Sequence, residues 1–375
     1  MRRLDLEILA TLVCCVLCAM CCVSCLDEDS GTYNDDYLGN FEACWQAMDE
    51  HYCFFDEKGV DWDDVYREYK PLFRDSVTSM QQCFNLMGQM IAIVRDGHVN
   101  LYTPFNTARY WKWYQDYPHN YNNDLVLDYY LKSSRWIVPG FMFQMLKDSV
   151  AYVRYESFSN TPGSANIDYM LGALSRAKGL ILDIRDNGGG SLTNVPLIAQ
   201  RFMTSKTLYG YVRHKTGKGH SEFSDYEPMY IEPVKDRVLW DATVQPVAVL
   251  TNRHTYSAAN NFTQAIKAIA QQPTVGEDGV SREKMIVTVG DQTGGGGGMP
   301  FETVLPNGWV LRFSACPIVD HKKALVEEGI APDIKVDMDS VNVIEKHRDD
   351  IIERARAYIN QNTKMIYKDN DEDKK

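Results

Sequence analysis

Leu180-Ile-Leu-Asp-Ile-Arg-Asp-Asn-Gly188-Gly189-Gly190-Ser191 is the stretch that decides the fold. Leu180 to Ile184 reads as a short buried strand, the three glycines as a turn, and Leu192 to Phe202 as a helix. An apolar strand that runs through a glycine turn into a helix is the unit of an α/β domain. The same texture surrounds it. Val150 to Tyr155 and Val247 to Leu250 predict further strands, and Ile167 to Ala177 and Asn260 to Ala270 predict helices. Phe301 to Leu305 and Trp309 to Phe313 predict a hairpin, because Pro306-Asn307-Gly308 between them is a strong turn signal. A last helix is expected from about Val343 to Ile359, and the Lys-Asp-Asn-Asp-Glu-Asp-Lys-Lys tail is expected to be disordered.

N-terminal to this region the period changes. Leu38, Phe41, Trp45, Met48 and Tyr52 recur at spacings of 3, 4, 3 and 4, one face of an amphipathic helix. Met80, Phe84, Met87, Ile91 and Val94 repeat the pattern, with Thr78 and Gln81 as a capping box. A shorter helix is expected between them, from Asp61 to Phe73. Residues 102 to 136 are dense in aromatics, from Tyr110 and Trp111 to Trp136, and read either as the lining of a binding cleft or as a cap packed on the main domain.

The first residues concern export. Arg2 and Arg3 precede an apolar run from Ile8 to Val23, short for a spanning helix and suited to a signal-peptide core. Six of the ten cysteines lie in or just after this run, and Ser24-Cys25 is followed by an acidic stretch. The pattern resembles a bacterial lipobox with Cys25 as the lipidated residue. Cys22 stands where a leucine-like residue is usual, which leaves Cys21 and Cys22 as alternatives. A plain secretory signal or a retained membrane helix is the other reading. The body then keeps Cys44, Cys53, Cys83 and Cys316, too few and too widely spaced for a disulfide framework, so they are expected as small core residues.

Across 375 residues the hydrophobic share is 45%, enough for a substantial core. The net charge of -12, without any lysine or arginine block, argues against nucleic acid as a partner, because that binding needs clustered cations.

Three segments carry candidate chemistry. The triple glycine at Gly188 to Gly190 presents backbone N–H groups to negative charge. It lacks the lysine of a phosphate loop and the spacing of a dinucleotide fingerprint, so an oxyanion hole fits better than a nucleotide site. In Val247-Ala-Val-Leu-Thr-Asn-Arg-His254-Thr-Tyr-Ser257-Ala-Ala-Asn260, a buried strand ends in a short loop that places Ser257 just before a helix. A helix N-terminus favours a developing anion. Taken alone, a serine there also reads as an N-cap. In Asp96-Gly97-His98, a histidine beside a carboxylate reads as a base or as a structural residue.

Taken in order, these three segments, with Val275-Gly276-Glu277 and Glu328-Gly-Ile-Ala-Pro-Asp333, resemble the tail-specific (C-terminal processing) protease family. The resemblance covers roughly residues 37 to 340. It implies a crotonase-like, mixed-sheet α/β catalytic core with an N-terminal helical subdomain. The organisation it implies is a lipoprotein signal peptide (1–25), an acidic tether (26–36), a helical subdomain (37–104), an aromatic-rich insertion (105–148), the catalytic core (149–340) and a C-terminal helix with a charged tail (341–375).

The resemblance also implies roles. Ser257 matches the family nucleophile, and the amide of Ala258, with one from Gly188 or Gly189, matches the oxyanion hole. The better-known members use a serine–lysine dyad, but their lysine falls near Arg282 here, with Lys284 two residues on. Arginine cannot act as a base, since it stays protonated. Residues 105 to 148 are also too short for the PDZ domain those members carry. The tricorn-like branch matches better: His98 would be the general base, with Glu327 or Glu328 orienting it, and Asp96 structural. Gly294 to Gly298 would form a mobile loop beside the serine. No His-Glu-x-x-His segment or paired-cysteine set occurs, so neither metal nor cofactor is implied.

The expected function is an exported serine endopeptidase, lipid-anchored in a bacterial cell envelope and acting on peptides or proteins. The alternative is a catalytically inactive peptide- or glycan-binding lipoprotein on the same fold.

Overall fold

A computed structural model describes residues 33–276 and 278–372. The signal segment, Cys25, most of the tether and Glu277 lie outside the described residues. The chain divides into two compact units. The first comprises the chain through Tyr110, with Lys215–Glu222 and Met299–Ala315; the second comprises Trp111–His214, Phe223–Gly298 and everything from Cys316 on.

The first unit is built on three helices, Tyr37–His51, Trp62–Asp75 and Met80–Ala92. Their apolar stripes are buried as the 3.6-residue period demands: Phe41, Met48, Phe84, Met87 and Ile91 are all in the core. Each start is marked by a polar cap, Asp36 accepting from the Gly39 amide and Asp61 from the Asp64 amide. The third cap sits one residue later than Thr78 and Gln81 suggested. Ser79 accepts from the Gln82 N–H, and the Gln82 side chain reaches back to the N–H of Thr78. Trp45 and Trp62 lock two helices by donating each indole N–H to the other's backbone carbonyl, both at 3.0 Å. The Asn100–Tyr102 strand pairs antiparallel with Thr107–Arg109 and with the start of the Val310–Asp320 strand. That last strand forms the expected hairpin with Gly298–Val304, and Gly308 takes the positive φ of 80° that the turn requires.

The second unit holds a seven-stranded sheet in the order Ile334–Lys335, Ile286–Gly290, Val247–Thr251, Leu180–Asp183, Ala151–Tyr155, Phe141–Met145 and Trp136–Val138. The first five strands are parallel, and the last two are added antiparallel. Alternate residues of the central strands face two separate cores. Ala151, Val153, Leu180, Leu182, Val247 and Val249 pack against the helices Ser164–Ala173 and Ala258–Ala270. Tyr152, Ile181, Ala248 and Leu250 pack against Ile351, Ile352, Ala355 and Ile359 of the C-terminal helix. A parallel sheet covered on both faces explains why these strands read as unbroken apolar runs.

Several expectations need correction. The stretch 105–148, expected as an insertion, contributes the two outer strands of the sheet, so the sheet starts at Trp136 rather than at residue 149. The single helix expected from Val343 to Ile359 is two, Ser340–Lys346 and Asp350–Glu372, separated where His347 adopts a left-handed φ of 48°. The backbone remains helical to Glu372, into the tail expected to be disordered. Cys44, Cys53, Cys83 and Cys316 are buried free thiols, as expected of core residues. Among the described residues, no helix is long and apolar enough to cross a membrane.

Candidate active site

In the second unit, the parallel strands Leu180–Asp183 and Val247–Thr251 end side by side, and the loops that follow them build a site. Asn187 and Thr255 tie the loops together. The Asn187 carbonyl accepts the Tyr256 N–H at 3.0 Å, and the Thr255 hydroxyl donates to the Ile184 carbonyl at 3.0 Å. Beneath them Arg185 is fully buried, donating to Asp183 at 2.6 Å and to Asp349 at 2.8 Å. Burial alone would raise the Asp183 carboxyl, but Arg185 and Arg154 reverse this and hold it below its ordinary value.

Ser257 occupies the N-cap position of the Ala258–Ala270 helix, yet its side chain makes no capping bond. Its backbone has φ 56° and ψ -122°, and the Ala259 N–H donates to the Tyr256 carbonyl at 3.0 Å. These are the dihedrals of the first central residue of a type II′ turn, a place that normally demands glycine. Holding serine there costs of order 1–3 kcal/mol, and such strain gathers at functional sites. The Ser257 N–H is bound to the Gly295 carbonyl at 2.9 Å. The Ala258 N–H lies in the first turn and donates to no group among the described residues.

The two candidate glycines behave differently. The Gly189 N–H already donates to Asn187 Oδ1 at 3.0 Å. Gly188 is exposed, and its N–H donates to no group among the described residues. Gly189 instead supplies room, at φ 96°: a Cβ added to it would lie 2.7 Å from Ser257 Cβ and 2.8 Å from the Ala258 nitrogen.

The loop Gly294–Gly298 is buried and pinned, contrary to the expectation of a mobile loop. Gly294 donates to the Thr255 carbonyl at 2.9 Å, Gly296 to the Glu327 carbonyl at 3.1 Å, and Gly297 to Glu327 Oε2 at 2.8 Å. Glycine is required because neighbouring backbone passes so close; a Cβ at Gly295 would lie 1.7 Å from the Glu327 carbonyl oxygen. The two candidate glutamates are thereby distinguished. Glu327 is buried with its carboxylate at the glycine loop, whereas Glu328 is exposed and offers its backbone carbonyl to Gln292.

The aromatic segment packs onto this loop system. The Trp113 ring lies 4.3 Å from that of Tyr256, and Tyr114 lies 4.2 Å from His254. Burial lowers the His254 imidazole below its ordinary value; Asp186 opposes this and His119 adds to it. Arg282 and Lys284, where the dyad lysine of the better-known members would fall, are engaged elsewhere: Arg282 pairs with Asp278 and Lys284 donates to the Gln272 carbonyl.

In the first unit, His98 is buried in the turn between the Met80–Ala92 helix and the Asn100–Tyr102 strand. Asp96 builds that turn. It accepts the His98 N–H at 2.7 Å, the Ser314 hydroxyl at 2.8 Å and the Tyr52 hydroxyl at 3.2 Å, a structural role as expected.

Trp113 belongs to the aromatic-rich segment expected as a cleft lining or a cap, whereas Asn187 and Asn252 carried no expected role. Asn187 was legible as part of the Asp-Asn-Gly-Gly-Gly run, but Asn252 carries no local signal of its own.

Profiles of two families match the chain: Peptidase family S41 over residues 149–284, and the Tricorn protease C1 domain over residues 33–92. No curated protein matches it. Among solved structures, the chain is similar to a protein from Parabacteroides merdae ATCC 43184 assigned to the peptidases. The two share 43% identity at TM-score 0.78, covering 87% of this chain and 97% of the other. It shares its fold with mature CPAF complexed with lactacystin, at 12% identity and TM-score 0.62, covering 88% and 98% of the two chains. It also shares it with the photosystem II D1 C-terminal processing protease, at 15% identity and TM-score 0.50, covering 81% and 94%. The chain belongs to peptidase family S41 and is a serine peptidase, with peptides or proteins as its substrates.

Proposed function

We propose that this peptidase is an exported endopeptidase of the tricorn-like branch of tail-specific proteases, working through an acyl-enzyme on Ser257. In this reading His98 takes the proton from Ser257 Oγ as the hydroxyl attacks the substrate carbonyl carbon. The amides of Ala258 and Gly188 stabilise the oxyanion. His98 then gives its proton to the leaving amine as the peptide C–N bond breaks, and a water hydrolyses the ester by the same route. Glu327, rather than Glu328, is the carboxylate assigned to orient His98, because it is the buried one.

The observation that carries the reading is the backbone of Ser257. A serine held at φ 56° in a turn suited to glycine carries a cost that folds tend to keep at functional sites, and it stands beside a helix-terminal amide that donates to no group among the described residues. The test is labelling by a fluorophosphonate together with turnover of casein. Wild type is expected to be labelled at Ser257, and Ser257→Ala and His98→Ala are each expected to abolish turnover with little change in melting temperature. Turnover surviving in either variant would remove that residue from the assignment, and an unlabelled wild type would favour a binding protein.

The export half of the proposal rests on the N-terminal sequence. Arg2, Arg3 and the apolar run lead to Cys25, whose acylation would hold the peptidase on a membrane of the cell envelope. Palmitate incorporation that disappears in Cys25→Ser would support it; incorporation that persists in that variant would move the anchor to Cys21 or Cys22.

A further inference from the structure

Asp186, the residue before Asn187 in the glycine-loop motif, sits between two histidines. Its Oδ2 is 2.8 Å from His119 Nε2, and its Oδ1 is 3.8 Å from His254 Nδ1. One ligand atom from each of the three residues falls within 4.8 Å of the others. All three belong to the second unit and come from different segments: the aromatic stretch, the loop after the Leu180–Asp183 strand and the loop that carries Ser257.

A single side chain supports all three. Asn252 is fully buried. Its Nδ2 donates to Asp186 Oδ1 at 2.6 Å and to the His119 carbonyl at 2.8 Å, and its Oδ1 accepts the N–H of Asp186 at 2.9 Å and of His254 at 3.2 Å. Asp186 is held at a left-handed φ of 55°, which aims its carboxylate between the imidazoles. The His254 ring packs against Tyr114, with the two planes at 73°. An ordinary surface ion pair would need only His119 and Asp186. A second imidazole, and a buried amide that orients all three residues, is the pattern of a ligand set with its supporting shell.

We propose that His119, Asp186 and His254 form a binding site for a divalent transition metal, with Zn²⁺ the best match. Two imidazole nitrogens and one carboxylate oxygen leave a fourth position for water, and this borderline-soft donor set suits Zn²⁺ and Co²⁺ over Ca²⁺ or Mg²⁺. Typical Zn–N and Zn–O lengths of about 2.0–2.2 Å would draw together three ligand atoms that now lie within 4.8 Å of one another. The bound metal would fasten the aromatic segment to the loop that ends at Ser257.

The test uses the full chain, its accessible thiols blocked by N-ethylmaleimide so that they do not bind metal, after stripping with a chelator. Titration with Co²⁺ is expected to give one equivalent with the visible absorption of a four-coordinate ion, displaced by Zn²⁺. His119→Ala and Asp186→Asn are each expected to weaken binding by at least roughly 100-fold, since even supporting-shell changes cost 10–100-fold. A control, His321→Gln, should bind as wild type. Zn²⁺ should also raise the melting temperature of wild type but not of His119→Ala. Wild type that takes up no metal at micromolar concentration would overturn the proposal, as would binding unchanged in both ligand variants.

Discussion

Gly189 presents its missing side chain directly to Ser257: a Cβ added there would sit 2.7 Å from Ser257 Cβ. The same added atom would lie 2.8 Å from the Ala258 nitrogen and 2.8 Å from the Tyr256 carbonyl oxygen. Backbone cannot retreat from such contact, and φ 96° is already costly for any residue with a side chain. Gly189→Ala is therefore expected to displace the Tyr256–Ala258 turn. If that turn forms the oxyanion hole, kcat should fall by about 10²–10³, the usual cost of one lost donor. A variant that folds with near-normal kcat would separate Gly189 from the chemistry.

Ser257 itself offers a sharper comparison. Ser257→Ala keeps a Cβ at φ 56° and should leave stability unchanged, whereas Ser257→Gly relieves the strained backbone. The expected gain from relief, of order 1 kcal/mol, is offset only partly by the greater freedom of glycine when unfolded. Thermal denaturation should rank Ser257→Gly above both Ser257→Ala and wild type, with neither variant active. Equal melting temperatures would mean that the turn is not strained.

Arg185 is enclosed by two carboxylates and has no access to water. Arg185→Met would leave Asp183 and Asp349 buried without their shared counter-charge. Breaking a buried pair in this way typically costs about 3–5 kcal/mol, so chemical denaturation should show a loss of that size. A loss below about 1 kcal/mol would mean that the network is already compensated elsewhere.

Gly295 tests whether the glycine loop is a fixed part of the site. With φ 86° and backbone oxygen 1.7 Å from any added Cβ, Gly295→Ala should break the bond from the Ser257 N–H to the Gly295 carbonyl. Fluorophosphonate labelling is expected to slow by at least about 10-fold, equivalent to about 1.4 kcal/mol. Labelling at the wild-type rate would show that the loop can yield without moving the serine.

Acid stability gives an independent check on the electrostatics. Burial would raise the Asp168 carboxyl, but the Val238 N–H, Arg201 and Arg237 bring it below its ordinary value. A carboxyl depressed on folding adds stability that is complete above the unfolded value of about 3.9 and is lost as pH falls through the folded value. Asp168→Asn should therefore be less stable than wild type at neutral pH, and the difference should shrink below about pH 4. A difference that stays constant down to pH 2 would assign the effect to packing rather than charge.

The sequence by itself determined the helices and strands that carry the site and pointed to the family. Periods of 3.6 and unbroken apolar runs record hydrophobicity, which each residue carries locally, so the Phe41–Met48 stripe and the Leu180 and Val247 strands were legible. Ser257 before a helix and the Gly188–Gly190 turn were legible for the same reason. Tertiary structure alone decided everything that depends on a partner distant in the chain. It closed the Gly189 amide with Asn187 and left that of Gly188 open, buried Glu327 and exposed Glu328, and pinned the glycine loop that composition suggested would move. It also brought His119, Asp186 and His254 around Asn252. Hydrogen bonds and ligand sets are settled by which backbones arrive side by side, and a one-dimensional pattern holds no record of that.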